Sequence, residues 1–128
     1  MRQFDVIVIG AGQAGLAAGY YLKKKGVSFA LLDRAREVGE SWSNRYDSLT
    51  LFTPRFYSGL PGLPLEGDQQ GNATKDEIAS YLKRYAEHFE LPVHLDTGIV
   101  SLTRAPSGFD VRTTRGTYAA RNVIVATG

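Results

Sequence analysis

The chain opens on an unbroken apolar run, "DVIVIG", that ends at Gly10. Such a run, rich in β-branched residues, predicts a strand buried on both faces. Gln13 to Lys25 then reads as a helix stopped by Gly26, and "SFALLD" as a second buried strand. Strand, helix and strand within about thirty residues make a βαβ unit. From Arg34 to Ala73 the rhythm breaks into a long segment rich in Gly, Pro, Ser and aromatics, with one short strand at "LTLFT". An excursion of this length is either functional or disordered, and its density of Trp, Tyr, Phe and Leu argues against disorder. Thr74 and Glu77 form a capping box that opens the helix "KDEIASYLKRYAEHFE". Ile78, Tyr81, Leu82, Tyr85 and Phe89 recur at helical spacing along it and give one apolar face. "VHLD" reads as a third parallel strand. "IVSLTR", "GFDVRTT" and "GTYAAR" read as a three-stranded meander, and "NVIVATG" as a last buried strand ending at Gly128. The predicted fold is α/β, a Rossmann-like parallel sheet of the dinucleotide-binding type carrying a three-stranded β meander.

The totals narrow the function without choosing it. A length of 128 residues suits one domain with a real core, and 43% hydrophobic with 22% charged residues is an ordinary globular balance. A net charge of +2 with scattered basic residues does not argue for nucleic acid. The one cationic run, Lys23 to Lys25, reads as a solvated helix end complementing the macrodipole. No cysteine is present, which removes disulfides, thiolate metal sites and dithiol redox chemistry. His88 and His94 lack a second ligand at metal spacing and read as structural, and no metal site is expected. Val6 to Ile9 is too short to span a membrane and lacks a signal-peptide layout, so a cytoplasmic protein is expected.

The candidate chemistry lies at the first turn. Gly10, Gly12 and Gly15 fit G-x-G-x-x-G, following a strand and opening a helix. Gly10 permits the tight turn, Gly12 has no side chain to block a pyrophosphate, and Gly15 lets the helix lie close to the strands. Main-chain amides near Gln13 and Ala14 would face the diphosphate with the helix dipole behind them. Asp33 ends the second strand, where a carboxylate can accept hydrogen bonds from ribose hydroxyls and disfavours a 2′-phosphate, with Arg34 beside it. FAD and NAD both bind such a unit. A dehydrogenase would continue with another short α/β repeat, whereas this chain makes an aromatic excursion and then a meander.

In that order of parts the sequence resembles the FAD-binding N-terminal part of flavin-containing and Baeyer–Villiger-type monooxygenases, especially small bacterial flavoproteins of that superfamily. The resemblance covers the whole chain and is carried by "GAGQAG", Asp33, "VGESW", "NRYDSLTLFTPRFYSGLPGLP" and "VIVATG". Two departures stand out: the family usually has Glu where Asp33 stands, and glycine where Glu40 follows Gly39. The resemblance implies that Gly39, Ser41 and Trp42 line the pyrophosphate and ribityl end of FAD, and that Arg45 lies near the flavin or its phosphates. It further implies that Asp47 and the segment Leu51 to Pro54, Thr53 included, approach the ring system, and that Val100 presents its backbone to the adenine. Ala126, Thr127 and Gly128 would pass close to the dinucleotide. In that family NADPH reduces FAD, and the reduced flavin passes an oxygen atom to a soft nucleophile or a carbonyl. Only one glycine fingerprint is present here, so residues 1–128 are expected to be an incomplete FAD domain without turnover of its own, NADPH serving only the full-length protein.

Other readings remain open at this level. Trp42 could be a core anchor, Arg45 and Asp47 a surface ion pair, and "SGLPGLP" a rigid turn. The chain could instead be the NAD-binding domain of a dehydrogenase or regulator. It could also be an interaction module, forming a homodimer through an unfinished sheet.

Overall fold

The computed structural model describes residues 2–127. β1 (Arg2–Ile9), α1 (Gln13–Lys25) and β2 (Phe29–Leu32) form the expected βαβ unit, with Val6 opposite Phe29 and Ile9 opposite Leu32 in parallel register. The excursion holds α2 (Glu40–Ser43), β3 (Thr50–Pro54), α3 (Arg55–Ser58) and β4 (Asn72–Thr74). α4 (Lys75–His88) and β5 (Val93–His94) follow, then β6 (Ile99–Ala105), β7 (Gly108–Thr113) and β8 (Gly116–Val125). One six-stranded sheet has the order β5-β2-β1-β8-β7-β6, while β3 and β4 pair antiparallel on their own. Among the described residues no helix is long and apolar enough to cross a membrane.

Strand alternation sorts the two faces of the parallel part. Val6, Val8, Phe29 and Leu31 cluster with Leu16 of α1 and with Ile78, Leu82 and Tyr85 of α4. Ile7, Ile9, Ala30 and Leu32 cluster instead with Val111, Tyr118 and Ala120 of the meander. Helices thus cover one face and the meander the other, which is why β1 and β2 read as continuous apolar runs.

Several expectations need correction. "GTYAAR" and "NVIVATG" are one strand, because no Gly or Pro separates Arg121 from Asn122. Its start pairs antiparallel with β7 while residues 118–125 pair parallel with β1. Nor is its end buried, since Val125 is 64% exposed; a β-branched run suits a half-covered strand as well as a covered one. β5 is only two residues long, set by its pairing with Leu31 and Leu32. The capping box forms by half: Thr74 Oγ1 accepts from the Glu77 N–H at 3.2 Å, but the Glu77 carboxylate is drawn to Arg55 at 2.7 Å. Lys23 is more than a solvated helix end, for its Nζ donates to the Phe89 carbonyl at 2.6 Å and caps α4.

Beneath the meander, Arg2 Nη1 lies 2.8 Å from the Tyr118 hydroxyl, which lies 2.8 Å from His94 Nδ1. With Arg2 donating, the phenol's own proton serves the imidazole, which must be neutral to accept it. Burial first, and then the Arg2 charge, lower the His94 pKa. The folded protein therefore binds this proton less readily than the unfolded chain. Its contribution is present above the ordinary histidine value and is lost as pH falls through the lowered one. The unfolding midpoint should fall as pH is lowered from about 7 towards 5. His94→Asn should flatten that part of the profile in pH-resolved thermal melts.

Candidate nucleotide site

The turn from β1 into α1 is built by close main-chain approach. Gly10 has φ 108, and a Cβ there would run into the Ala126 carbonyl, which leads out of β8. A Cβ at Gly15 would strike the carbonyl oxygen of Gly10. Both glycines are thus demanded by the protein's own packing. Gly12 is different, because a Cβ there would meet nothing within 4 Å. The space beside Gly12 is open, and it lies at the N-terminus of α1.

That helix start has neither a side-chain cap nor an acidic residue in its first turn. The Gly10 N–H donates to Leu32 O at 2.8 Å, and the Leu16 N–H to Gly12 O at 2.9 Å. Between them the Gln13 and Ala14 N–H groups have no partner among the described residues. Unpaired donors at the positive end of a thirteen-residue helix are suited to an anion that tolerates no intervening side chain.

Asp33 stands at the edge of this turn. Its Oδ2 accepts from the Ala11 N–H at 2.8 Å and its Oδ1 from the Ala35 N–H at 2.9 Å. Its main chain joins β2 to the later strands, accepting from the Thr97 N–H and donating to the His94 carbonyl. Arg34 lies exposed beside Gly98, where a Cβ would come 3.9 Å from that of Arg34. The β6–β7 register slips between Ile99 and Ser101, so Val100 is the bulged residue, left out of the ladder and 59% exposed. The Ala126 N–H donates to Ile9 O at 2.8 Å, and Thr127 flanks Gly10. Gly128 lies outside the described residues. The fold thus brings Gly10, Gly12, Gln13, Ala14, Gly15, Asp33, Arg34, Ala126 and Thr127 to the carboxyl ends of β1, β2 and β8, while Val100 lies near the start of β6, shortly after the Gly98 that neighbours Arg34.

The excursion residues form a second group. Gly39 has φ 86 and fits against Ala79 of α4, whose carbonyl a Cβ would approach to 2.6 Å. α2 begins directly after it, so Glu40 occupies the helix start and the left-handed turn falls on Gly39 itself. Ser41 is exposed on this short helix, and Trp42 packs partly buried against the helical core. Arg45 and Asp47 do not pair with each other. The Arg45 guanidinium stacks 4.3 Å over the Trp42 ring, while Asp47 sits 3.9 Å from Lys75 Nζ and is fully exposed. Thr53 Oγ1 lies 2.8 Å from Ser58 Oγ beside the exposed rings of Phe52, Phe56 and Tyr57. No hydrogen bond or ion pair among the described residues links Asp47 or Thr53 to the glycine turn.

Three side chains organise the excursion in ways that their spacing does not show. Arg55 grips Glu77 with Nε at 3.0 Å and Nη2 at 2.7 Å, and donates through Nη1 to the Asp68 carbonyl. Tyr81 and Tyr85, read as core from their spacing, also hold "SGLPGLP": Tyr81 accepts from the Leu60 N–H at 2.7 Å and donates to Leu63 O at 2.5 Å. Tyr85 donates to Pro61 O at 2.5 Å. Burial raises the pKa of both phenols, which keeps them neutral donors. A groove of about 590 Å³ lies at the opposite end of β1, around Phe4 and Phe109, away from this chemistry. Among the described residues no cluster of His, Asp or Glu could hold a metal.

A family model described as pyridine nucleotide-disulphide oxidoreductase matches residues 7–128. The chain belongs to that family. Among its relatives, an uncharacterized oxidoreductase named CzcO-like from Geobacillus kaustophilus is 56% identical over 97% of this chain, which spans 36% of that relative. The flavin-containing monooxygenase from Stenotrophomonas maltophilia superposes with a TM-score of 0.94 at 36% identity, covering all of this chain and 39% of the other. A bacillithiol disulfide reductase from Staphylococcus aureus, at 23% identity and a TM-score of 0.92, shares the fold. The resemblance to flavin monooxygenases read from the motifs is borne out, as is the Rossmann-like sheet. The chain spans under two-fifths of each relative named here. Family membership brings no disulphide chemistry to these residues, for they contain no cysteine.

Tyr81→Phe should lower stability by about 1–3 kcal/mol, since it strands the Leu60 N–H and the Leu63 carbonyl at once. Urea unfolding measures the loss.

Proposed function

We propose that the chain binds FAD, as the dinucleotide-holding part of an NAD(P)H-dependent, monooxygenase-like flavoprotein oxidoreductase. The observation that carries this reading is the open space at Gly12, beside unpaired amides at the start of α1. Packing leaves room for a Cβ there, so the absence of a side chain favours a guest. In this reading the Gln13 and Ala14 amides hold the pyrophosphate, Gly10 and Gly15 shape the turn, and Ala126 and Thr127 flank it. Asp33 faces the ribose, with Arg34 and the bulged Val100 backbone towards the adenine. Gly39, Ser41 and Trp42 line the pyrophosphate and ribityl end. Arg45 offers its stacked guanidinium to the phosphates or flavin, and Asp47 and Thr53 approach the ring.

FAD when bound would supply the electron and oxygen chemistry, leaving the protein to bind, orient and exclude water. The name of a steroid monooxygenase bound to NADP, 33% identical over 98% of this chain, supports a nicotinamide partner for the whole protein. We place NADPH use, the oxygen acceptor and a cytoplasmic site of work at that level. A homodimer would form along the open edge of β6, where Val100 and Leu102 are exposed.

Purified protein incubated with FAD and desalted should retain the flavin absorbance band, and colourless protein at high FAD would refute the proposal. Gly12→Ala should fold with stability changed by less than about 1 kcal/mol, yet bind FAD at least about tenfold more weakly. Gly15→Ala should lose the fold itself.

A further inference from the structure

Ala11 is 3% exposed, so its N–H must find a partner within the protein. Neither a strand nor the helix supplies one; the bond goes 2.8 Å to Asp33 Oδ2. The other carboxylate oxygen is held by the Ala35 N–H at 2.9 Å, which fixes the side chain's rotamer from the far side. The backbone of Asp33 is fixed as well, through His94 and Thr97. The carboxylate is therefore a rigid bracket between the end of β2 and the turn after β1. By taking the Ala11 N–H it settles how the turn's donors divide. Gly10 serves β2, Ala11 serves Asp33, and the Gly12, Gln13 and Ala14 amides are left without a partner among the described residues. A longer acid would carry its charge past Ala11 and release that amide.

We infer that Asp33 is a positioning residue, whose carboxylate presets the glycine turn by binding the Ala11 N–H before any nucleotide arrives. The effect on FAD rests on the flavin reading above, whereas the preset turn does not. The inference is distinct from a ribose contact, which the same oxygens could still make with their remaining lone pairs. A turn already locked binds more tightly because less ordering is left to the ligand.

The test uses the whole chain, isotopically labelled, without and with FAD. In the ligand-free protein the Ala11 amide should be protected from exchange. Its proton should lie downfield, as expected for a donor to a carboxylate, and shift upfield in Asp33→Asn. Asp33→Glu keeps the charge but not the reach, so it should also free Ala11, with exchange accelerated about tenfold or more. Both variants should bind FAD about tenfold more weakly at temperatures well below their melting points. A role confined to the ribose predicts that an Asp33→Glu protein whose Ala11 amide exchanges freely still binds FAD as well as the parent. A role confined to stability predicts unchanged affinity in the folded variants. Either result overturns the inference, as does an unprotected Ala11 amide in the parent protein, which is decisive even if no variant folds. Failure of the parent to bind FAD, with Ala11 protected and shifted, would sink the flavin reading and leave the preset turn standing.

Discussion

The contact on which the rest depends is main chain against main chain, where Gly15 of α1 lies on the carbonyl of Gly10 and Gly10 lies on that of Ala126. The helix, the first strand and its sheet neighbour β8 touch there without a side chain between them. Close packing at this point sets the depth at which α1 crosses the sheet, so Leu16 reaches the cluster around Val8 and Leu31. It also aims the helix start beyond the carboxyl ends of the strands, where open α/β sheets place their ligands. Stability and ligand geometry are fixed by the same few atoms.

Much of this was legible. Short-range signals such as the G-x-G-x-x-G turn, the Gly26 stop and the helical spacing of Ile78, Leu82 and Tyr85 act within one or two turns of chain, and each led to the right element. What escaped depends on partners distant in sequence. Glu77 looked like a capping residue until Arg55, 22 positions earlier, claimed its carboxylate. The alternative of an Arg45–Asp47 ion pair fails because Asp47 lies by Lys75, a buried cation of α4 far along the chain, while Arg45 stacks on neighbouring Trp42. The division of "NVIVATG" from "GTYAAR" failed because a strand that changes partners along its length leaves no mark in its own composition.

The candidate site divides along the same line. The half at the turn from β1 into α1 is written in glycines, whose requirement is local and geometric. The half contributed by the excursion is held by tertiary bonds from Arg55, Tyr81 and Tyr85 to main-chain carbonyls and amides, which any residue could supply. Its outward face carries Tyr46, Phe52, Phe56 and Tyr57, all well exposed, so it joins a firmly tethered back to an apolar front.

The placement of β8 has a consequence for how the chain is made. β1 emerges before the other described elements, but one of its two neighbours in the sheet lies 116 residues later, Arg2 meeting Tyr118. During translation one flank of the opening strand must wait, bare, while the excursion, α4 and the meander emerge. Long-range pairing of this kind slows folding and prolongs the interval in which an apolar edge can meet another nascent copy. The strand that supplies Ala126 to the glycine turn is thus also the one that covers this flank of β1.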